Sequence, residues 1–206
     1  DVARAVEADF GRLPAGPARE APAPPPATEN GATVALELGK SQSAIAMGAV
    51  FTLQPEDRAA LTIAVAMLSD KLAFELRETK GLAYSIGASL RSWGGRARFE
   101  VAMGTRAQNI DEAREGILAS IREFRQSGPG SEDVLRTING TMGASLMRRM
   151  TRISLAYEAG LEAMRGEQPG DERRFVESLR RVTTDDVKRV TAAYLDPDRL
   201  AIAVVR

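Results

Sequence analysis

The chain has 206 residues, with 28 basic and 28 acidic side chains, and it contains no histidine and no cysteine. This length suffices for one well-packed domain, and the balanced charge gives no field that would favour nucleic acid or a membrane surface. Without histidine and cysteine there is no Ser-His or Cys-His pair for nucleophilic catalysis. We therefore expect that this chain, acting alone, is not an enzyme.

The N-terminal residues fall into two segments of different composition. Residues 1–13 predict a short amphipathic helix, which has Val2, Val6 and Phe10 on one side. Residues 14–32 hold six of the ten prolines and almost no bulky side chain. Such a segment cannot bury a core, so it predicts an extended linker.

Two predicted strands follow the linker. The alternation of Val34, Leu36 and Leu38 predicts a half-buried strand over 33–38. Residues 42–51 are uncharged on both faces, which favours a central strand that is covered on both sides.

A helix is predicted to begin at Pro55. Proline fits the first helical turn, where the carboxylates of Glu56 and Asp57 also meet the positive end of the helix dipole. Gly81 predicts a left-handed cap where this helix ends. The apolar side of the helix consists of Leu61, Val65, Leu68 and Leu72.

From Leu82 the apolar period changes to two, which predicts a β-hairpin closed by Gly94-Gly95. One face of its first strand carries Leu82, Tyr84, Ile86, Ala88 and Leu90. The turn fixes the register, and the predicted partners are Leu90 with Phe99, Ala88 with Val101, and Ile86 with Met103.

Helices are predicted for most of the remaining chain. Asn109 and Glu112 form a capping pair for a helix that ends at Gly128-Pro129. Its predicted buried residues are Ile110, Ala113, Ile117, Ile121 and Phe124.

A second helical pattern begins at Ser131, and it leaves open whether residues 131–165 form one bent helix or two. Gly140 and Gly143 within it favour close packing against a neighbour. Its predicted inward side chains are Val134, Ile138, Met142 and either Leu146 or Met147, followed by Ile153, Tyr157, Leu161 and Met164.

The C-terminal region has two further predicted helices and a strand. The first helix carries Phe175 and Leu179. Thr183 and Asp186 cap the last helix, and residues 200–205 predict another central strand. Together these elements predict an α/β (α+β) fold, in which helices pack against a mixed or antiparallel sheet of about five strands.

Two stretches carry a resemblance to a known family. The run LSDKLAFELRETKGLAYSIGA at 68–88 resembles the signature of the C-terminal, non-catalytic domain of pitrilysin/insulinase-like zinc metallopeptidases, which include mitochondrial processing peptidase. The run VTTDDVKRVTAAYLDPDRLAIAVVR at 182–206 is similar to the family's closing helix and strand. The resemblance implies that 33–206 form this domain and that 1–13 are the tail of a preceding catalytic domain; alternatively, 1–13 form a free terminal helix.

The resemblance also implies a role for two side chains. In the family, an Arg and a Tyr at this spacing contact the substrate backbone from across a cleft, and these roles fall on Arg77 and Tyr84. Without the resemblance, Arg77 would only complement the helix dipole, and Tyr84 would be a core tyrosine with a solvated hydroxyl.

The zinc site of the family is a His-x-x-Glu-His helix, which this chain cannot form because it has no histidine. The resemblance therefore places zinc and the catalytic residues in an N-terminal catalytic domain or a catalytic partner subunit, with no cofactor in this chain. The implied ligand is an extended peptide, without nucleic acid or a membrane span. The alternatives are a catalytically inactive subunit that serves in assembly and a stand-alone α/β binding module.

Other charged groups have simpler explanations. Glu75 and Glu78 are expected on a solvated helix face, and Asp185 and Asp186 in a first helical turn. The basic patch of Arg148, Arg149 and Arg152 is expected on a solvated face or in contact with the partner domain. Trp93 is expected either to pack on Arg96 or to form an exposed contact.

Overall fold

The computed structural model describes residues 1–14, 16–17, 26–28, 31–39, 42–93, 95–164, 168 and 170–206. These residues form an α+β fold with a five-stranded mixed sheet, as the sequence predicts. The predicted turn residue Gly94 and most of the predicted linker 14–32 lie outside the described residues. The division of the chain into tail, linker and domain stays a prediction.

The strands of the sheet are β1 (Thr33–Leu36), β2 (Gln42–Thr52), β3 (Ser85–Trp93), β4 (Arg96–Arg106) and β5 (Ala201–Val205). Their order is β1-β5-β2-β4-β3, in which β1 and β5 are parallel and the other neighbours are antiparallel. The position of β2 at the centre confirms its prediction as a central strand, and β5 is also interior.

The helices lie mainly on one face of this sheet. They are α1 (Val2–Phe10), α2 (Arg58–Leu72), a π-helix (Ala73–Thr79), α3 (Ile110–Ser127), α4 (Ser131–Arg148), α5 (Arg152–Met164), α6 (Asp171–Leu179) and α7 (Thr184–Tyr194). Helices α2 and α3 contact the strands, and α4, α6 and α7 pack against α2. The pattern over 131–165 forms two helices, α4 and α5, rather than one.

The hairpin β3–β4 has the predicted register. Leu90 pairs with Phe99, Ala88 with Val101 and Ile86 with Met103, as predicted. Gly95 adopts a φ of 77°, a conformation that glycine accepts without steric cost. The alternation of the sequence and the turn therefore suffice to define this hairpin.

Among the described residues, no helix covers the other face of the sheet, so the prediction that β2 is covered on both sides is wrong. Ile45 and Met47 are buried under the helices, whereas Ala44 is exposed and Gly48 is half-buried. On β2, the residues of this face are mainly small, as at Ala44, Ala46 and Gly48. They present little apolar area, and no helix is needed to remove it from water.

The predicted half-buried strand at 33–38 is also exposed. Val34 pairs with Ala203 at the outer edge of the sheet, and Val34, Leu36 and Leu38 are all exposed. Alternation predicted the strand correctly. However, β1 is the edge strand of the sheet, and its residues are exposed on both sides. Thr28, from the segment before it, exchanges two hydrogen bonds with Val50, at 2.7 and 2.9 Å.

Helix α4 is buried along part of its length, and Met142 packs against the core as predicted. Val134 and Ile138 lie in the core as predicted, but Leu146 and Met147 are both exposed, contrary to the prediction. A Cβ added at Gly140 or Gly143 would meet nothing within 4 Å, so close packing does not explain these glycines. In the second half of α4, Ser145 is buried and its Oγ lies 3.4 Å from Oε1 of Glu172 on α6.

Helix α5 also departs from its predicted orientation. Ile153, Tyr157 and Met164 are exposed, although their helical spacing predicted inward side chains. None of its residues is buried within the described part of the chain. Periodicity therefore identified the apolar face of α5 but did not show whether another element packs against it.

The predicted helix caps differ in their outcome. Thr183 and Asp186 form a capping box at the start of α7, as predicted. The hydrogen bonds from Thr183 favour the ionised form of Asp186, and they outweigh the opposing effect of burial. The pKa of Asp186 is therefore held below its usual value. Asn109 stands at the cap position of α3, but its side chain makes no capping hydrogen bond there, so that part of the prediction is wrong.

Asp57 connects the start of α2 to α7. Its carboxylate is 8% exposed and accepts hydrogen bonds from Arg189 Nη1 at 2.6 Å and Tyr194 Oη at 2.7 Å. Burial, together with the hydrogen bond to Asp57, raises the pKa of Tyr194. Asp57 thus joins two helices and does more than complement a helix dipole.

We expect Asp57→Ala to lower the free energy of unfolding by about 2–3 kcal/mol, because two hydrogen-bond donors lose a charged acceptor. Urea unfolding measures this change. Its neighbour Glu56 is exposed, so Glu56→Ala serves as the control and should change the free energy by less than about 0.5 kcal/mol. Equal effects of the two substitutions would contradict the assignment.

Candidate functional site

The candidate site lies at the junction where the π-helix leads into β3. Arg77 is in the last turn of the π-helix, and its side chain is 53% exposed. Its Nε lies 3.0 Å from Oε1 of Glu78, which is also exposed. An exposed ion pair of this kind contributes little stability, so the guanidinium can exchange this partner for a ligand at low cost.

Tyr84 lies one residue before β3 and is 81% exposed. The interpretation of Tyr84 as a core tyrosine is therefore wrong. Its backbone N–H donates to the carbonyl oxygen of Gly104 at 2.9 Å, which holds the residue beside β4. The backbone is fixed while the phenol side chain faces solvent.

The backbone between the two residues is a compact turn. Leu76 O accepts from the N–H groups of Leu82 at 2.8 Å and Ala83 at 3.3 Å. Gly81 adopts the predicted left-handed conformation, with a φ of 62°. Arg77 and Tyr84 therefore belong to one hydrogen-bonded unit, and both expose their side chains.

A buried threonine connects this turn to the sheet. Thr105 Oγ1 donates to the carbonyl oxygen of Leu82 at 2.7 Å, and Thr105 is 3% exposed. Leu82 is itself buried. The junction that carries Arg77 and Tyr84 is thereby fixed to β4 by a side chain as well as by the backbone.

Glu75 lies beside this junction, and the prediction that it belongs to a solvated face is wrong. Its carboxylate is paired with Lys71 and accepts from Ser120 Oγ at 2.6 Å. Lys71 Nζ also lies 3.1 Å from Glu123 Oε2. Only Glu78 matches the solvated face that was predicted for both glutamates. The spacing of four between Lys71 and Glu75 was the available signal in the sequence.

The surroundings of Glu75 favour its charged form. Burial opposes ionisation, but the hydrogen bonds from Lys71 and Ser120 outweigh burial and hold the pKa of the Glu75 carboxyl below its usual value. For Lys71, burial is likewise outweighed by the hydrogen bonds to Glu75 and Glu123, so the pKa of Lys71 is raised. Both groups are charged at neutral pH.

These shifts predict a pH-dependent contribution to stability. Because the pKa of Glu75 is lower in the folded chain, its contribution is complete above the unfolded pKa of about 4.3 and is lost as the pH falls through the folded pKa. We expect Glu75→Gln to lower the melting temperature at pH 7 and to have a smaller effect near pH 3. Thermal unfolding at both pH values tests this; an equal effect at both would contradict it.

The outer strand β3 is partly occupied along its edge. The Ala88 N–H donates to Ser69 Oγ at 3.0 Å, and Ser69 lies in α2. This donor is therefore not free to pair with an added strand. Pairing with an extended ligand is restricted to other parts of β3 or to β1, the strand at the opposite edge.

The remaining predicted candidates lie apart from this junction. Asp186 is used in the cap of α7, and Asp185 is exposed. Arg149 Nη2 lies 3.6 Å from Glu162 of α5, which gives one member of the basic patch an intramolecular partner. Trp93 is exposed at the end of β3 and is in register with Arg96.

The residues of this chain do not fit a catalytic zinc centre. The full sequence has no histidine or cysteine. Within the described ranges, no three Asp or Glu residues are grouped so that they could hold a metal ion. What the junction offers chemically is a pair of hydrogen-bond donors, the guanidinium of Arg77 and the hydroxyl of Tyr84.

A family model described as the peptidase M16 inactive domain matches residues 1–141. The structure is similar to the M16 inactive domain from Pseudomonas fluorescens, with a TM-score of 0.84, 20% identity, and coverage of 98% of this chain and 50% of the other. A protease from Helicobacter pylori gives a TM-score of 0.82 and 14% identity over 100% of this chain and 52% of the other.

A third similar structure is the ferredoxin protease FusC, an E83A mutant in complex with Arabidopsis ferredoxin. It has a TM-score of 0.74 and 15% identity, over 99% of this chain and 23% of the other. This chain thus spans about half of the first two proteins and less of the third. A search of curated proteins finds no match. No helix in the described part of the chain is both long and apolar enough to cross a bilayer.

Proposed function

Because this chain belongs to the peptidase M16 inactive-domain family, we propose that it is the non-catalytic half of a zinc-dependent endopeptidase. In this function the domain forms one wall of a cleft that holds an extended peptide. The zinc and its ligands are supplied by a catalytic half, either in the same polypeptide or in a partner subunit.

The observation that carries the proposal is the exposure of both Arg77 and Tyr84 on one hydrogen-bonded junction. Arginine and tyrosine both donate hydrogen bonds, which suit a peptide carbonyl, a carboxylate or a developing oxyanion. A core or dipole role would not need either side chain to face solvent. Their fixed backbone would reduce the conformational entropy that is lost when a peptide binds.

The open edges of the sheet support an extended conformation of the ligand. A peptide can add to a sheet edge through backbone hydrogen bonds. Since Ser69 already occupies the Ala88 N–H, such an added strand would pair with the part of β3 that directly follows Tyr84. This position would place the peptide backbone next to both proposed donors.

The lengths of the similar proteins support a separate catalytic half. Two of them are about twice as long as the region that this chain covers. The FusC structure contains ferredoxin, which is consistent with a polypeptide as the ligand of such an assembly. Zinc in the catalytic half would polarise the scissile carbonyl and activate water, and this chain would hold the substrate backbone.

The proposed division of labour predicts that this chain alone neither retains stoichiometric zinc nor hydrolyses peptides. Combined with its histidine-containing catalytic half, it should form a complex that does both. Metal analysis and a quenched fluorescent peptide assay, applied to each half and to the complex, measure this. Turnover by this chain alone would contradict the proposal, and a complex that assembles without any turnover would favour a purely structural subunit.

A further inference from the structure

We infer that Glu75 is a positioning residue, which sets the direction of the Arg77 side chain by holding the π-helical turn. This inference rests on the proposed function, since it concerns how Arg77 is presented to a peptide. It assigns a role to the contacts around Glu75 that neither the family match nor the proposed donors require.

The first observation is the backbone conformation. After α2, residues Ala73–Thr79 continue as a π-helix, a rare form that often occurs at functional sites. The Lys80 N–H donates to Glu75 O at 3.1 Å, and Thr79 Oγ1 donates to Phe74 O at 3.0 Å. A wider turn changes the direction in which each following side chain leaves the helix axis. The direction of the Arg77 side chain therefore depends on this π-helical turn.

The second observation is that side chains from two helices fix Glu75 within this turn. Lys71 holds its carboxylate from α2, and Ser120 holds it from α3. Ser120 is 4% exposed, and its Oγ also lies 2.9 Å from the carbonyl oxygen of Gly116. The Glu75 carboxylate and the Gly116 carbonyl share the single proton of this hydroxyl. The anchor for Glu75 is therefore a buried side chain on α3.

The third observation is the close packing of the next residue. A Cβ added at Gly116 would come within 2.7 Å of Cδ2 of Leu76, and Leu76 is fully buried. Helix α3 thus approaches the π-helix closely at Gly116, one helical turn before Ser120. Glu75 and Leu76 are both held against α3, and Arg77 follows them directly.

A π-turn without the carboxylate contact would be free to relax towards an α-helical turn, which satisfies its backbone equally well. The direction of the Arg77 side chain would then vary. Its guanidinium would be displaced from the position in which it donates a hydrogen bond to the peptide group. A displacement of about 1 Å can reduce catalysis about a hundredfold, even when it originates away from the reacting atoms.

The test uses the complex of this chain with its catalytic half and a quenched fluorescent peptide. We expect Glu75→Gln to reduce kcat/KM by about ten- to a hundredfold. Ser120→Ala keeps the pair with Lys71 and is expected to give a smaller loss, about three- to tenfold. The matched control is Glu123→Gln, which removes a carboxylate from the same lysine at an exposed position and should stay within about twofold.

A double substitution separates positioning from general stability. If Glu75 acts through Arg77, Glu75→Gln should add almost nothing in an Arg77→Ala background. Additive losses would overturn the inference, as would an equal loss in Glu123→Gln. If Arg77→Ala alone leaves kcat/KM unchanged, the proposed role of Arg77 fails and this inference fails with it, whereas the proposed function as a non-catalytic half is tested separately by turnover of the complex.

A measurement on the chain alone keeps the inference testable without turnover. The side-chain NMR signal of Arg77 Nε should shift in Glu75→Gln and in Ser120→Ala but not in Glu123→Gln. If Glu75→Gln does not fold, Ser120→Ala provides the same comparison. An Arg77 signal that is unchanged in the folded variants would overturn the positioning role, although it would leave the proposed function intact.

Discussion

Replacement of Arg77 by alanine is expected to reduce kcat/KM of the complete enzyme by about ten- to a hundredfold. The physical reason is the loss of one charge-assisted hydrogen bond to a peptide carbonyl or carboxylate, worth about 1.5–3 kcal/mol. Because the Arg77 side chain is half exposed and its ion pair within the described part of the chain is with the exposed Glu78, the melting temperature and the zinc content should barely change. Steady-state kinetics with a peptide substrate measures the effect.

The matched control for Arg77 is Arg173→Ala on α6. Arg173 is more exposed than Arg77 and likewise faces an exposed glutamate, Glu177. Its replacement should leave kcat/KM within about twofold, since exposed ion pairs contribute little. Normal turnover in Arg77→Ala, or the same loss in both variants, would contradict the assignment of Arg77 to the substrate.

Replacement of Tyr84 by phenylalanine is expected to have the largest effect if its hydroxyl donates to the developing oxyanion. The loss should then be about a hundred- to a thousandfold and fall mostly on kcat. A hydrogen bond to a ground-state carbonyl would instead give about a tenfold loss, divided between kcat and KM. The substitution keeps the ring and removes only the hydroxyl of a side chain that is largely exposed.

Tyr157→Phe on α5 is the corresponding control, because Tyr157 is also exposed but lies on another element. It should change neither kinetic constant. If Tyr84→Phe lowers the melting temperature and leaves turnover unchanged, the hydroxyl has only a structural role. That result would remove Tyr84 from the proposed site without affecting the fold.

The elements that the sequence predicted well are those defined by local periodicity and turn chemistry. The β3–β4 register follows from alternation and a glycine turn, and Leu90 pairs with Phe99 as expected. The buried side of α3 was also predicted correctly, since Ile117 and Ile121 recur at helical spacing and are buried. The cap at Gly81 follows from the need for a positive φ.

The errors concern what covers each element, which local patterns do not encode. Val34 and Leu36 alternate like a half-buried strand, yet they lie on the open face at the edge of the sheet. Ile153 and Tyr157 have helical spacing, yet α5 leaves them exposed. Periodicity identifies an apolar face, but only the tertiary arrangement decides whether another element lies against it.

The candidate site was predicted in part. Arg77 and Tyr84 are found through the resemblance of the run that contains them, because their residue types alone are equally compatible with a cap or a core role. The π-helix has no sequence pattern that distinguishes it from an α-helix. The contact between Glu75 and Ser120 joins residues 45 positions apart. A local pattern of charged residues therefore cannot predict it.

The most direct measurement of the central claim is photo-cross-linking from the site to a peptide. Tyr84 is replaced by p-benzoylphenylalanine, and the chain, together with its catalytic half, is irradiated with a labelled extended peptide. The same amino acid at position 157 on exposed α5 is the control. We predict a covalent adduct to the peptide from position 84, which an excess of unlabelled peptide suppresses, and none from position 157. Absence of an adduct at position 84, or equal adducts at both positions, would contradict the proposal that this junction holds the substrate.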